Sequence, residues 1–412
     1  MKTNKTRKKK NRMIFLFSML FLLLSAGIIA LCVKESLKEK PQKAEKREGK
    51  EGVEINIVSE KEDTMTQTDK ILSGMSLEEK VAQLFVLTPE TLAGEEAAVQ
   101  VTEQLRSGYE TYPVGGFIAM QGNITSPEQI IQFNSDLDQL GRQMTGMPPF
   151  LAVDEEGGTV VRIAGNEAFP VENVGNMSEV GASSDRNVAY ETGAYIGGYL
   201  VQYGFNVDFA PDADVWVNPY NEVVRYRAFS SDPYIAADMV SGAVEGFHSA
   251  GICTALKHFP GHGATAEDSH AGFAYSPRTL EELRECEFLP FQAGIDAGSE
   301  FVMVGHITLP EVTGTDTPST LSGAVVTEIL RDEMGYDGIL ITDAMNMGAI
   351  AQNYSSADAA VLAVEAGMDM ILMPVDFQEA YQGILTAVQD GRITEERLDE
   401  SVRRIIELKQ KL

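Results

Sequence analysis

The chain has 412 residues, 44% of them hydrophobic and 23% charged, with a formal net charge of −28. Residues 1–52 hold 14 of the 33 Lys/Arg but only five of the 61 acids, which leaves the body of the chain at −37. So acidic a body lacks the cations that neutralise a phosphate backbone, which excludes a nucleic-acid partner, and its apolar content excludes a disordered chain.

The amino terminus has the layout of an export or anchoring signal. Seven Lys/Arg fall within residues 1–12, an apolar run follows over 13–33, and a polar stretch rich in Lys and Glu occupies 34–66. Twenty-one apolar residues are enough to cross a bilayer as a helix, with the basic end on the cytoplasmic side. The expectation is a single-pass cell-membrane anchor over 13–33, a linker over 34–66 and a folded domain over 67–412 outside the cytoplasm. A cleaved signal peptide, giving a secreted protein, is the alternative. Three cysteines, Cys32, Cys253 and Cys286, read as small hydrophobes and not as a disulfide framework or a thiolate metal cluster.

In the body, Ser76-Leu-Glu-Glu79 has the spacing of a capping box and predicts a helix start. Eight short apolar runs then recur, at Leu84–Leu87, Gly116–Met120, Phe150–Val153, Val207–Pro211, Thr254–His258, Phe301–His306, Gly338–Thr342 and Met370–Met373. Each is followed by Gly, Pro or polar residues and then an amphipathic stretch. Continuous apolar strands alternating with helices indicate a parallel sheet sheathed in helices, and eight such units is the number that closes a (β/α)8 barrel. The last helix, with Leu398, Val402, Ile405 and Leu408 on one face, closes the ring. An open doubly wound sheet is the alternative architecture.

Reactive residues fall at the carboxyl ends of these runs: Asp154, Asp212 and Asp214, Lys257 and His258, His306, and Asp343. In a barrel those ends share one face, where active sites are built. Asp343, directly after a buried strand, must face solvent, a partner or a substrate, as a nucleophile or charge stabiliser or else as a helix cap. Asp154 opens Asp-Glu-Glu-Gly-Gly and suits sugar hydroxyls or a strand-end turn. Arg162 and Arg227 can fork onto an oxygen-rich ligand or pair with the many acids. His262, between two glycines, reads as a loop-holding residue. In Asp268-Ser269-His270 an acid stands two residues before an imidazole, where it can orient and charge-tune a proton-transfer group. The same loop's His258, His262, Asp268 and His270 form an alternative zinc set. Its spacing matches no helical His-x-x-x-His pair, and Lys257 would repel the cation. No metal or other cofactor is expected.

Lys257-His-Phe-Pro-Gly-His-Gly263 with Asp268-Ser-His270, Asp154-Glu-Glu-Gly-Gly with Arg162, Asn218-Pro219 and Asn221 before Arg227-Ala-Phe-Ser, and Ile341-Thr-Asp343-Ala-Met together resemble glycoside hydrolase family 3, in its single-domain β-N-acetylglucosaminidase branch. The resemblance implies a retaining (β/α)8 enzyme with Asp343 as nucleophile, His270 as acid/base and Asp268 as its dyad partner. It implies that Asp154, Arg162, Arg227, Lys257 and His258 grip N-acetylglucosamine. The chain departs from the family pattern at Ala264, at Arg225-Tyr226 and at Ala344-Met345-Asn346, which bears on substrate preference. With an extracytoplasmic location the implied partners are N-acetylglucosamine-containing glycans or muropeptides, met by a monomer. Transfer to phosphate and a non-catalytic wall-binding role are the competing functions.

Overall fold

The architecture is that of a computed structural model, which describes residues 65–266 and 272–412. Eight strands form one parallel sheet: β1 Phe85–Leu87, β2 Gly116–Ile118, β3 Phe150–Val153, β4 Val207–Asp208, β5 Cys253–Phe259, β6 Phe301–Val304, β7 Ile339–Thr342 and β8 Ile371–Leu372. Each pairs with its sequence neighbour from β1 to β7, and β8 returns to β1 through Phe85 opposite Ile371. A parallel bridge between Ile341 and Met370, with the Thr342 amide donating to the Met370 carbonyl at 3.1 Å, joins β7 to β8 and closes the ring. The expected barrel is therefore observed. Every strand residue is buried, which is why the strands read as continuous apolar runs and not as alternating ones.

The strands are shorter than several of the predicted runs. At β4, Pro211 has no N–H to give the ladder, so regular pairing stops at Asp208. The carbonyls of Ala210 and Pro211 still accept from Ala255 and Lys257 at 2.9 and 3.4 Å. A two-stranded ribbon that the sequence did not suggest, Ala274–Tyr275 with Ile307–Thr308, runs beside the barrel.

The helices start and stop where local chemistry dictates. Ser76 caps Leu77–Gln83 with both halves of the capping box, as predicted. Ser126 and Asp232 cap Pro127–Thr145 and Pro233–Ala250, and Gly146 and Gly251 end them. In the last helix, Glu395–Lys409, the predicted face of Leu398, Val402, Ile405 and Leu408 is buried. Its end plugs the amino-terminal floor of the barrel: Lys409 Nζ donates to Gln83 Oε1 at 2.7 Å and lies 5.2 Å from the Phe150 ring. Nearby, buried Asp369 gathers Arg331, Arg397 and Arg404, the Ser401 hydroxyl and the Leu340 amide. Cys253 is buried in β5 and Cys286 partly buried between helices. Among the described residues no helix is long and apolar enough to cross a membrane. The predicted anchor over 13–33 lies outside the described residues, as do Asp268 and His270.

Candidate active site

Three consecutive acids after β3 do three different jobs. Asp154 accepts from Lys257 Nζ at 2.8 Å, and its other oxygen lies 3.6 Å from Arg162 Nη2. Glu155 is a backbone staple. It accepts from the amides of Arg162, Ile163 and Ala164 at 2.5–2.8 Å and from the Tyr199 hydroxyl at 2.8 Å. That return is possible because Gly157 and Gly158 take φ of 94° and 58°, a region costly for other residues. Glu156, fully shielded, bridges two cations: Lys257 Nζ at 2.6 Å, and the Arg227 fork at 2.7 and 2.8 Å.

These pairings set the charge states. Burial opposes the charge on Glu156, but Arg227 and Lys257 overcome it and hold the carboxyl well below the usual range. Burial likewise works against Lys257 and Arg227, and the acids around them win, so both stay protonated. Asp212 differs: burial and the neighbouring Asp214 push it well above the ordinary carboxylate range.

Histidines and acids interlock one layer further along. Arg227 Nη2 donates to His258 Nε2 at 3.0 Å; since a guanidinium can only donate, that nitrogen carries the lone pair. The Nδ1–H of His258 then donates to Asp214 Oδ2 at 2.9 Å. The other oxygen of Asp214 accepts from the His262 amide at 2.5 Å, so one carboxylate ties the His258 ring to the turn beyond β5. Asn221 fastens the same turn, its Nδ2 donating to the carbonyls of His262 and Thr265 at 2.9 and 3.1 Å. His262 is buried in this stem, a loop-holding position as the sequence suggested.

Asp343 follows β7 directly. Its amide donates to the Val304 carbonyl at 2.9 Å, and its Oδ1 accepts from the Ala344 amide at 2.8 Å. The carboxylate keeps partial solvent access at the carboxyl end of the barrel. Burial raises its proton affinity, but electrostatic attraction from His258, His306 and Lys257 and the Ala344 amide hydrogen bond outweigh that and hold it below its ordinary value. His306 is oriented by its contacts: Nε2 donates to the Ala344 carbonyl at 3.0 Å, and Nδ1 meets the Thr320 hydroxyl at 2.9 Å. A low-affinity carboxylate, ionised near neutrality and open to solvent, can attack an electrophile or stabilise a cation.

Of the predicted site residues, Asp154, Arg162, Arg227, Lys257, His258 and Asp343 share one end of the barrel. Asp268 and His270 lie outside the described residues. Sequence reasoning placed Asp214 and His306 among the strand-end reactive residues without giving them a role, and did not single out Glu156. Their positions at strand ends offered a signal, but the pairings of Asp214 with His258 and of Glu156 with Lys257, 44 and 101 positions apart, could not be read from it. Asp212, Asp214 and His258 present ligand atoms within 4.8 Å of one another. His258 Nδ1 is committed to Asp214, and Asp212 Oδ2, which has no hydrogen-bond partner among the described residues, already lies 3.6 Å from the Arg227 guanidinium, a charge that would oppose a second cation; the trio fits an interlock better than a cation site.

A closed parallel barrel whose strand ends gather opposed carboxylates, two buried cations and oriented imidazoles belongs to the (β/α)8 enzymes in layout. The model of the glycosyl hydrolase family 3 N-terminal domain matches residues 76–408, and the chain belongs to that family. It is 33% identical over 325 residues to a β-hexosaminidase A of Pseudoalteromonas piscicida, which covers 73% of this chain and 54% of that protein. To a β-hexosaminidase of Xylella fastidiosa strain 9a5c it is 35% identical over 282 residues, covering 68% and 81%. Among solved structures, the family 3 β-N-acetylglucosaminidase of Paenibacillus sp. FPU-7 superposes with a TM-score of 0.76 at 36% identity over 82% of this chain and 62% of that one. The chain thus spans little more than half the length of the Pseudoalteromonas relative.

Proposed function

We propose that the protein is a retaining exo-β-N-acetylglucosaminidase that removes terminal β-linked N-acetylglucosamine, with peptidoglycan fragments as its glycans. The observation that carries this reading is the convergence of Asp343 with the Asp154, Lys257, Glu156, Arg227 and His258 ring on one end of the barrel. Relatives of this family carry β-hexosaminidase and β-N-acetylglucosaminidase names.

In the proposed reaction the ring holds the terminal sugar by its hydroxyls, Asp154 and Arg162 accepting and donating while Lys257 and His258 are held rigid beneath. The Asp343 carboxylate attacks the anomeric carbon as the glycosidic C–O bond breaks, and His270 gives its proton to the departing oxygen. Water then gives a proton back to His270 and its oxygen to the anomeric carbon, releasing Asp343 and a sugar of retained configuration. Asp268 would stabilise the imidazolium. The basic segment at 1–12 followed by the apolar run at 13–33 supports placement of the domain outside the cytoplasm on a membrane anchor.

The test is turnover of 4-nitrophenyl N-acetyl-β-glucosaminide, with product stereochemistry followed by NMR in the presence and absence of phosphate. Release of β-N-acetylglucosamine, abolished by Asp343→Asn and cut by His270→Ala, supports the proposal. A sugar phosphate as the main product would replace hydrolysis with phosphorolysis, and sugar binding without turnover would leave a wall-binding protein.

A further inference from the structure

The loop between β4 and the helix Pro233–Ala250 begins and ends in the sugar-gripping ring. Asp214, near its start, holds His258, and Arg227, near its end, forks onto Glu156. Between these two anchors the loop carries Trp216, the chain's single tryptophan, together with Arg225 and Tyr226. The Arg225 guanidinium lies 5.8 Å from the centre of the Trp216 ring and 5.1 Å from that of Tyr226, within the range of cation–π attraction to both. None of the three is buried: Trp216 is partly exposed and Tyr226 is 43% exposed.

This cluster is built and not merely a surface accident. Trp216 Nε1 donates to the Asn221 carbonyl at 2.9 Å, and the Trp216 amide donates to Ser230 at 3.1 Å, which fix the indole. The loop also lies hard against the turn beyond β5, where a Cβ on Gly263 would come within 1.8 Å of the Val215 carbonyl. Among the described residues Arg225 has one carboxylate partner, Glu222 at 3.0 Å, three residues earlier on the same loop and well exposed. An exposed pair of that kind contributes little, so a ligand carboxylate can exchange with Glu222 at small cost.

We propose that Trp216, Arg225 and Tyr226 form the subsite for the sugar on the leaving side of the scissile bond, and that they select an acidic amino sugar, one bearing a carboxylate, as that neighbour. The inference rests on the glycosidase reading, since a leaving side exists only if a glycosidic bond is cut. An exo-acting enzyme seats its terminal sugar on the ring of Lys257, Asp154 and Arg227, so only the next sugar can reach the rim. Aromatic faces accept the C–H surface of a pyranose, and the stacked guanidinium, held in place before binding, supplies two donors to a carboxylate.

The single tryptophan makes the test direct. Full-length protein carrying Asp343→Asn is titrated with N-acetylglucosamine, with the neutral disaccharide N,N′-diacetylchitobiose and with N-acetylglucosaminyl-β-N-acetylmuramic acid, while indole emission is followed. Both disaccharides are expected to change the emission and the monosaccharide is not, and the acidic disaccharide binds about tenfold more tightly than the neutral one, the worth of one charge-assisted hydrogen bond. In the otherwise unaltered protein, Arg225→Ala and Arg225→Gln each reduce the kcat/KM ratio of acidic over neutral disaccharide by about the same factor. Equal emission changes from monosaccharide and disaccharide, or an acid preference that survives both substitutions, would overturn the subsite. Failure of the unaltered protein to cleave 4-nitrophenyl N-acetyl-β-glucosaminide would instead overturn the glycosidase reading beneath it.

Discussion

Replacing Lys409 by Met is expected to stabilise the protein, by an amount that depends on pH. Among the described residues the Lys409 ammonium, buried in the barrel floor, has no carboxylate partner, and burial pushes its pKa from 10.5 down to about 7. At about 1.4 kcal/mol for each tenfold change in proton affinity, the fold penalises the charged amine by roughly 5 kcal/mol. Against this stands the hydrogen bond to Gln83 Oε1 at 2.7 Å, and stranding that oxygen costs about 1–3 kcal/mol. The net gain for Lys409→Met is therefore about 2–4 kcal/mol below pH 7. The sign follows from linkage. Between the folded and unfolded values the unfolded chain binds the extra proton, so the unaltered protein gains stability as pH rises from about 7 towards 10.5. The advantage of the variant is full below that window and fades across it. Urea midpoints for both proteins at pH 6, 7.5 and 9 measure the difference. A variant no more stable than its parent at pH 6, with a gap that does not move with pH, would show that the floor holds Lys409 charged and refute the reasoning.

Other outcomes follow from the same contacts. Glu156→Gln removes the charge between Lys257 and Arg227 and should cost about 3–5 kcal/mol in urea denaturation and raise KM; a loss below about 1 kcal/mol would count against the bridge. Because the cations hold Glu156 below its ordinary 4.5, its contribution is complete above that value and is lost only as pH falls through the lower folded one. The stability gap between parent and Glu156→Gln should therefore stay flat from pH 6 to 8. Asp369→Asn, which strands Arg331, Arg397 and Arg404 in the floor, should lower the melting temperature while leaving KM unchanged. Turnover should survive prolonged chelation, since His258 and Asp214 are engaged with each other; activity lost to a chelator and restored by zinc would assign them to a metal.

The barrel was legible because parallel strands buried on both faces leave continuous apolar runs, and all eight were found where those runs stand. Their ends were not, because pairing depends on details such as Pro211 at the end of β4. Strand-end placement also pointed to Asp154, Lys257, His258 and Asp343, since those ends converge whatever the loops do. What sequence could not supply was the division of labour in Asp154-Glu155-Glu156. The three are adjacent acids in the chain, yet one meets Lys257, one staples backbone amides and one bridges two cations. Arg227, which could equally have served a ligand or an acid, is taken by Glu156 through a contact 71 positions away. Long-range choices of that kind are fixed by how the loops fold over the barrel mouth.

The account turns on Asp343 bonding to the sugar. Incubation with a 5-fluoro N-acetylglucosaminyl fluoride, which slows the release of a glycosyl-enzyme, followed by intact mass and peptide mapping, is the most direct measurement. The account predicts a mass increase of one fluorinated sugar on the peptide that contains Asp343, absent from Asp343→Asn. Turnover with no adduct, or an adduct on a different residue, would contradict it.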